Sequence, residues 1–203
     1  MDAPTGTKLI GIAGPSCSGK SELARWLSAH TGAPVLNLDH YYIDLSHLPL
    51  EVRARTNFDE AQSVDRDAIV EHARALAGGE AVHAPHYDFS THTRALGDDV
   101  IVPGPWVILE GLFTLYWPEL RELLDVKLFV EAPNEVCLDR RIERDVRERG
   151  RTRESVIEQY ARTVCPGAFQ FIYPTKFHAD LVLSGVDRLE HSGTKVLNYM
   201  QHG

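Results

Sequence analysis

A short segment near the start of the chain, residues 8–21, constrains the fold most strongly. Its sequence is KLIGIAGPSCSGKS, an apolar run followed by a glycine-rich turn. Residues 14–21 fit the pattern G-x-x-x-x-G-K-[ST], in which glycines let successive backbone N–H groups turn toward phosphate oxygens. The pattern predicts a nucleotide-phosphate loop between a buried strand and a helix, with Lys20 as a cation and Ser21 as a hydroxyl ligand for Mg²⁺. The residues expected to bind the nucleotide here are Gly14, Ser16, Cys17, Ser18, Gly19, Lys20 and Ser21.

A glycine turn arising by chance is the alternative, and the flanking sequence argues against it. Residues 21–30 carry apolar side chains at helical spacing, and Gly32 lies just past their end. Apolar runs then alternate with helical patterns, which predicts an α/β fold with a mostly parallel sheet flanked by helices. Strands are expected at residues 9–12, 35–39, 99–102, 106–111, 126–130 and 179–183. Helices are expected at residues 21–30, 65–76, 118–124, 133–150, 155–163 and 194–201, with a helical turn at 168–172.

Length, charge and cysteine content narrow the class of protein. With 203 residues, 43% of them hydrophobic, the chain suits one domain spanning residues 1–203. A net charge of −8 argues against a nucleic-acid or membrane-surface binder, because such binding needs a broad positive field. The start of the sequence lacks the pattern of a signal peptide, and no apolar run is long enough to span a membrane. The three cysteines have no paired spacing, which indicates a reducing compartment, and we expect a cytoplasmic protein.

Two apolar runs that end in an acid are candidates for the chemistry. Residues 35–39 end in Asp39, and residues 106–111 contain Glu110 at the end of a predicted buried strand. Ligands of doubly wound sheets bind beyond the carboxyl ends of the strands, which would place both acids near the phosphate loop. An aspartate there can accept a proton from a hydroxyl group or bind a Mg²⁺ water. A turn or cap aspartate remains equally compatible with the position of Asp39.

Residues 140–153 are the basic part of the chain. They contain seven arginines against three acids, a net charge of +4. One interpretation is a solvated helix with i,i+4 pairs, which the spacings of Glu143 and Arg147, Arg144 and Glu148, and Asp145 and Arg149 allow. The other is a mobile lid, at approximately residues 133–153, whose arginines meet the charge on a transferred phosphoryl group. Spacing alone does not decide between them.

Residues 84–94, with the sequence APHYDFSTHTR, are rich in aromatic and polar groups and poor in aliphatic ones. Such a segment makes a poor core and a plausible recognition hairpin. Taken alone, His92 is more often a structural histidine than a ligand-binding one.

Several separated motifs, in order along the chain, resemble those of one known family. The motifs are GPSCSGKS at 14–21, DHYY at 39–42, TNFD at 56–59, YDFSTHTR at 87–94, VILEG at 107–111, RRIERDVRERGR at 140–151 and PTKFHADLVL at 174–183. They resemble the uridine kinases, also called uridine-cytidine kinases, of the phosphoribulokinase/uridine kinase group of P-loop kinases. The resemblance covers nearly the whole chain, from Leu9 to about Val182.

The resemblance implies roles for residues on the phosphate side. Asp39 would be the general base on the 5′-hydroxyl group of a nucleoside. Ser21 would bind Mg²⁺, with Asp39 and Glu110 acting through water. Lys20, Arg144 and Arg149 would face the phosphates of ATP.

The resemblance also implies a nucleoside pocket. Asp59 and Arg141 would bind the ribose hydroxyl groups, and Tyr87 and His92 would contact the edge of the pyrimidine. The residues that would line the pocket are Phe58, Phe89, Arg151 and Gln159.

The implied activity is transfer of the ATP γ-phosphoryl group to uridine or cytidine, giving UMP or CMP in pyrimidine salvage. Relatives of this kind suggest a homotetramer, and the donor could be ATP or GTP. A kinase of another ribosyl compound, such as nicotinamide riboside, and a catalytically weak nucleotide-binding regulator are the alternatives. The sequence departs from the family pattern at residues 60–64, at His86 and at residues 184–186, where the family often has Pro-Arg-Gly. Cys17 stands where alanine is frequent.

Overall fold

The computed structural model of the chain describes residues 6–53 and 56–202. Residues 1–5, part of the segment in which no signal peptide is expected, lie outside this description, as do residues 54–55 and 203. Within the described residues the strands are β1 (Lys8–Ala13), β2 (Val35–Asn37), β3 (Val82–Asp88), β4 (Thr93–Ile101), β5 (Trp106–Glu110), β6 (Val126–Glu131) and β7 (Leu181–Ser184). The parallel sheet has the order β2-β5-β1-β6-β7, which confirms the predicted fold class.

Side chains alternate between the two faces of the sheet, as expected for strands covered on both sides. On β1, Ile10 and Ile12 face one core layer and Leu9 faces the other. The first layer also contains Leu23, Leu27, Leu128 and Val196, and the second contains Leu36, Tyr41, Ile69, Leu76, Leu109 and Phe129. Helices therefore bury both faces, and the carboxyl edge of the sheet stays free for a site.

The helices enclose this sheet. They are α1 (Lys20–Thr31), α2 (Leu50–Arg53), α3 (Arg66–Ala77), α4 (Pro118–Arg121), α5 (Asn134–Arg149), α6 (Arg153–Gln159), α7 (Cys165–Gly167) and α8 (Leu189–His202). Short 3₁₀ turns cover Leu38–Tyr41, Ala61–Ser63 and Tyr173–His178, and π-helical stretches cover Tyr160–Val164 and Ala168–Ile172. No helix in the described part of the chain is both long and apolar enough to cross a membrane.

The two largest corrections to the predicted boundaries concern a strand and the last helix; β2 also ends at Asn37 instead of residue 39, α4 at Arg121 instead of residue 124, and α6 at Gln159 instead of residue 163. The strand expected at residues 99–102 is only the end of β4, which begins at Thr93 and pairs antiparallel with β3. Both faces of β4 carry partly exposed or exposed residues, so it lacks the apolar alternation that marks a strand in sequence. The last helix begins at Leu189, before Gly193, instead of at about residue 194. Glycine is required there for packing, since a Cβ at position 193 would lie 2.3 Å from the Trp26 ring.

Candidate active site

The phosphate loop joins β1 to α1 at the carboxyl edge of the sheet. Gly14 has φ +146°, and a Cβ at this position would lie 2.1 Å from the Val130 carbonyl oxygen, so only glycine fits. Lys20 is buried, and its Nζ donates to the Pro15 carbonyl oxygen at 3.0 Å. The Ser18 hydroxyl group is buried and finds no hydrogen-bond partner among the described residues. The loop thus forms a concave surface that is lined by backbone atoms and by the ammonium group of Lys20.

Two acids and a hydroxyl group lie beside the loop. Asn37 on β2 pairs with Glu110 on β5, and Asp39 follows two residues later in a 3₁₀ turn. The Ser21 Oγ donates to Glu110 Oε1 at 3.1 Å. Burial, and then the negative charge of Asp39, raises the pKa of Glu110 to about 7. The carboxyl ends of neighbouring parallel strands therefore bring both predicted acids to the phosphate loop.

Aromatic side chains form the opposite wall of the site. The Phe58 and His92 rings are stacked, with centroids 4.8 Å apart and an interplanar angle of 12°. Tyr42 makes an edge contact with Phe58, at a centroid distance of 5.3 Å. Tyr87 and Phe89 from the hairpin complete the wall, with their ring centroids 5.1 Å apart. Tyr42 was not predicted as a site residue, although it belongs to the DHYY motif at 39–42.

Two polar atoms in this wall have no hydrogen-bond partner within residues 6–53 and 56–202. His92 adopts φ +53°, which is uncommon for a residue with a side chain, and its Nδ1 is buried without a hydrogen bond to any described residue. The Tyr87 hydroxyl group is likewise buried and unpaired within the part of the chain described. Burial, and then the positive charge of Arg149, lowers the pKa of His92, so its imidazole is neutral at pH 7. Such strained and unpaired groups are typical of ligand-binding positions.

A buried carboxylate lies at the floor of the site. Asp59 accepts a hydrogen bond at Oδ2 from Thr163 Oγ1, at 3.1 Å. Burial raises the pKa of Asp59, while the charge of Arg141 acts in the opposite direction. Arg141 donates to Ser16 Oγ at 2.9 Å and to Gln159 Oε1 at 3.2 Å, so it joins the phosphate loop to α6. Thr163 was missed because a threonine in a helical segment gives no sequence signal.

The arginine-rich helix α5 faces the site. Of the predicted i,i+4 pairs, Glu143 with Arg147 and Asp145 with Arg149 are present, at 3.7 and 3.6 Å. Arg144 instead contacts its neighbour Asp145 at 2.8 Å. The Arg149 guanidinium lies 4.7 Å from the centroid of the Phe89 ring, a cation–π distance. One face of α5 thus carries an exposed ion pair, as the first hypothesis predicts, and the other faces the cavity, while a mobile lid at approximately residues 133–153 stays a prediction.

One cavity of about 1150 Å³ connects these parts. The predicted residues that line it are Ser16, Cys17, Gly19, Lys20, Ser21, Asp39, Phe58, Asp59, Tyr87, Phe89, His92, Arg141, Arg144, Arg149, Arg151 and Gln159. Three predicted residues do not line it. Gly14 lies under the loop against Val130, Ser18 is buried, and Glu110 reaches the cavity through Ser21.

The loop after β7 closes the cavity on the phosphate side. A Cβ at Gly185 would lie 1.7 Å from the Ser18 carbonyl oxygen, so the two backbones are in direct contact. Arg140 spans the contact, donating to Gly185 O at 2.9 Å and to Cys17 O at 3.3 Å. Residues 184–186 were noted in the sequence only as a departure from the family pattern, and Arg140 was not predicted to have a role.

Comparison with known proteins gives a consistent result. Residues 9–190 match the family described as "Phosphoribulokinase / Uridine kinase family". A uridine kinase from Chloroflexus aggregans is 45% identical over 89% of this chain and 88% of its own length. A uridine kinase from Aliivibrio fischeri is 44% identical over 86% of this chain and 85% of its own length. The phosphoribulokinase structure from Rhodobacter spheroides superposes with a TM-score of 0.63 at 16% identity, covering 89% of this chain and 73% of that one.

Proposed function

We propose that this chain, which belongs to the phosphoribulokinase/uridine kinase family, transfers the γ-phosphoryl group of ATP to the 5′-hydroxyl group of uridine or cytidine. One observation carries the proposal. A single cavity has the phosphate loop at one end, a stacked Phe58–His92 wall at the other, and Asp39 in its lining. Relatives named uridine kinase at 44–45% identity support the same activity.

Asp39 acts as the general base in this proposal. Its carboxylate accepts the proton of the 5′-hydroxyl group as the oxygen attacks the γ-phosphorus, and ADP departs as the bond to the β–γ bridging oxygen breaks. Lys20, Arg144 and Arg149 line the cavity and stabilise the charge that develops on the phosphoryl oxygens. Most of the rate enhancement then comes from the positioning of the two substrates and from stabilisation of the charge on the phosphoryl group.

The acids beside the loop suit a bound Mg²⁺. Ser21, Asp39 and Glu110 offer hard oxygen donors, the type that Mg²⁺ prefers. The charge of Asp39 contributes to the raised pKa of Glu110, and a divalent cation would relieve this repulsion. When bound, Mg²⁺ neutralises negative charge on the phosphates.

The aromatic wall suits a pyrimidine nucleoside. At position 4, uracil presents a carbonyl oxygen that accepts a hydrogen bond, whereas cytosine presents an amino group that donates one. A neutral His92 can donate or accept according to its tautomer. The Tyr87 hydroxyl group has the same versatility, which explains why both bases would be accepted. Asp59 and Arg141 would bind the ribose hydroxyl groups, and Phe58, Phe89, Arg151 and Gln159 would enclose the nucleoside.

The remaining parts of the proposal follow the family resemblance. They are a single P-loop kinase domain over residues 1–203 with a lid at approximately 133–153, a homotetramer, a cytoplasmic location, and ATP or GTP as donor. Neither a nucleic acid nor a membrane is a proposed partner.

The test is an assay of ADP release from Mg-ATP with a panel of acceptors. Uridine and cytidine should support turnover at low concentrations, whereas purine nucleosides and nicotinamide riboside should not. Preferred turnover of nicotinamide riboside would assign another acceptor. ATP binding without turnover of any acceptor would instead indicate a nucleotide-binding regulator.

A further inference from the structure

Asp145 on α5 is a fully buried carboxylate surrounded by arginines. Its Oδ1 accepts a hydrogen bond from Arg144 Nε at 2.8 Å and lies 3.6 Å from Arg149 Nε. Its Oδ2 lies 3.5 Å from Arg141 Nε and 3.8 Å from an Arg151 guanidinium nitrogen. One negative charge is therefore shared among four positive ones. Asp145 does not line the cavity, but all four arginines do.

The Oδ2 atom of Asp145 makes ion-pair contacts but accepts no hydrogen bond from any described residue. Asp145 Oδ2 and Arg141 Nε are both buried, and neither has a hydrogen-bond partner within residues 6–53 and 56–202. The backbone of the same residue fixes the end of the helix, since the Asp145 carbonyl oxygen accepts from Gly150 N and from Arg151 N. Both the side chain and the backbone of Asp145 thus act on the segment that carries the arginines.

The arrangement of like charges needs an explanation. Guanidinium groups that share one carboxylate repel each other, and each would gain hydration by turning to solvent. The side chains of Arg144, Arg149 and Arg151 are about 30% exposed, so solvent is within their reach. Burial and the neighbouring Arg144 lower the pKa of Arg149, and Asp145 opposes this effect. A central carboxylate is what keeps the cluster directed inward when no phosphate is bound.

We propose that Asp145 is a positioning residue that holds the guanidinium groups of Arg141, Arg144 and Arg149 directed into the cavity before the donor nucleotide binds. It acts through the arginines and touches neither substrate. The inference rests on the proposed function for its kinetic consequence, because Arg144 and Arg149 are the arginines that meet the transferred phosphoryl group in that proposal. The cluster keeps a net positive charge, which the phosphates then neutralise.

The kinetic test uses Asp145→Asn, which keeps the shape of the side chain and removes its charge. We expect kcat to fall about 10- to 100-fold, the range found when a group that orients a functional ligand is lost. KM for ATP should not rise, because the variant has one more net positive charge near the phosphates. A purely structural role would instead raise KM and lower kcat together. Either that parallel loss or a kcat within about threefold of wild type would overturn the proposal.

The matched control is Glu158→Gln on α6. Glu158 also pairs with an arginine four residues away, Arg162 at 3.7 Å, but both side chains are exposed and neither lines the cavity. This variant should have wild-type kcat and KM.

A second measurement uses the wild-type protein and decides the matter even if Asp145→Asn does not fold. In arginine-selective ¹⁵N spectra without nucleotide, the Arg144 Nε–H signal should be resolved from that of an exposed arginine such as Arg162. Arg144→Lys and Arg162→Lys assign the two signals. Coincidence of the two signals would show that Arg144 is not held, and would overturn the proposal. Because these spectra need no turnover, a wild-type protein inactive on both uridine and cytidine would refute the proposed function and leave the test of Asp145 intact.

Discussion

The two ends of the cavity are built in different ways. The phosphate end comes from one contiguous loop, residues 14–21, and its charged groups are already paired, although the buried Ser18 hydroxyl group has no partner among the described residues. Lys20 binds Pro15 O, Ser21 binds Glu110, and Arg141 binds Ser16. At the nucleoside end, His92 Nδ1 and the Tyr87 hydroxyl group have no partner among the described residues. The charged groups of the phosphate end are therefore positioned before a ligand binds. At the nucleoside end, we expect the unpaired polar atoms to gain hydrogen bonds only when a ligand binds.

The difference bears on specificity. Unpaired buried groups penalise any ligand that fails to satisfy them, whereas a loop of backbone N–H groups accepts many phosphates. Selectivity should therefore reside at the nucleoside end, and most of the catalytic charge at the phosphate end.

Asp39 lies between the two ends, and its replacement should give the largest effect. Asp39→Asn should lower kcat by about 10²- to 10⁴-fold, as expected for loss of a general base. ATP affinity should be largely kept, because the loop and Lys20 are untouched. Steady-state kinetics with titration of a non-hydrolysable ATP analogue measures both. A near-normal kcat would show that Asp39 is structural.

Removal of one ribose hydroxyl group tests the nucleoside end. A substrate without the 2′-hydroxyl group leaves the buried Asp59 short of a partner, so kcat/KM should fall by about 10- to 10³-fold. Arg141 limits the effect because it still neutralises Asp59. The measurement compares cytidine with 2′-deoxycytidine in wild type and in Asp59→Ala, which should shrink the ratio. Equal wild-type values would mean that Asp59 does not bind the diol.

The neutral state of His92 predicts a pH dependence. Burial and Arg149 lower the pKa of His92 below its ordinary 6.5, so the neutral ring persists as the pH falls to that value. The ratio of wild-type to His92→Gln kcat/KM for uridine should be flat from pH 8 to about 6.5. At lower pH it should fall, by up to about tenfold per pH unit below the pKa. The same sign holds for stability, since a lowered pKa favours the folded state at high pH. A ratio that falls already between pH 8 and 7 would contradict this assignment.

Thr163 should give the smallest effect. Thr163→Val removes the hydrogen bond to Asp59 Oδ2, with an expected loss of about 1 kcal/mol, or about fivefold in KM for uridine. Thr163→Ser keeps the hydroxyl group and serves as the control. KM for ATP should not change in either variant. A rise in KM for ATP would mean that the two ends are not separable.

The sequence predicted the strand–loop–helix structure around residues 14–21 because its signal is local. Glycines and a lysine at fixed spacing determine the loop wherever the strand and helix lie. The nucleoside end joins Phe58, the hairpin and Gln159 on α6, and only resemblance to a family connected these segments. Pattern alone could not find Thr163, whose role depends on tertiary contact with Asp59.

Two other features were hidden for physical reasons. The i,i+4 spacing suggested a pair between Arg144 and Glu148, but Arg144 contacts the buried Asp145 instead. From spacing alone, Asp145 is an ordinary i,i+4 partner of Arg149, and nothing indicates that it is buried. The stretch Tyr160–Val164 is π-helical, which means that its backbone hydrogen bonds run from i to i+5. The spacing of apolar residues in the sequence does not predict this hydrogen-bond pattern.

The contact between Gly185 and Ser18 has a consequence for protein engineering. The family resemblance implies Pro-Arg-Gly at residues 184–186, so a redesign of this chain toward that pattern would place arginine at position 185. That side chain would begin 1.7 Å from the Ser18 carbonyl oxygen and would push the nucleotide loop out of place. We expect arginine at position 185 to be harmful in this background, and exchange of the whole β7–α8 connection together with its partner loop to be the safer graft.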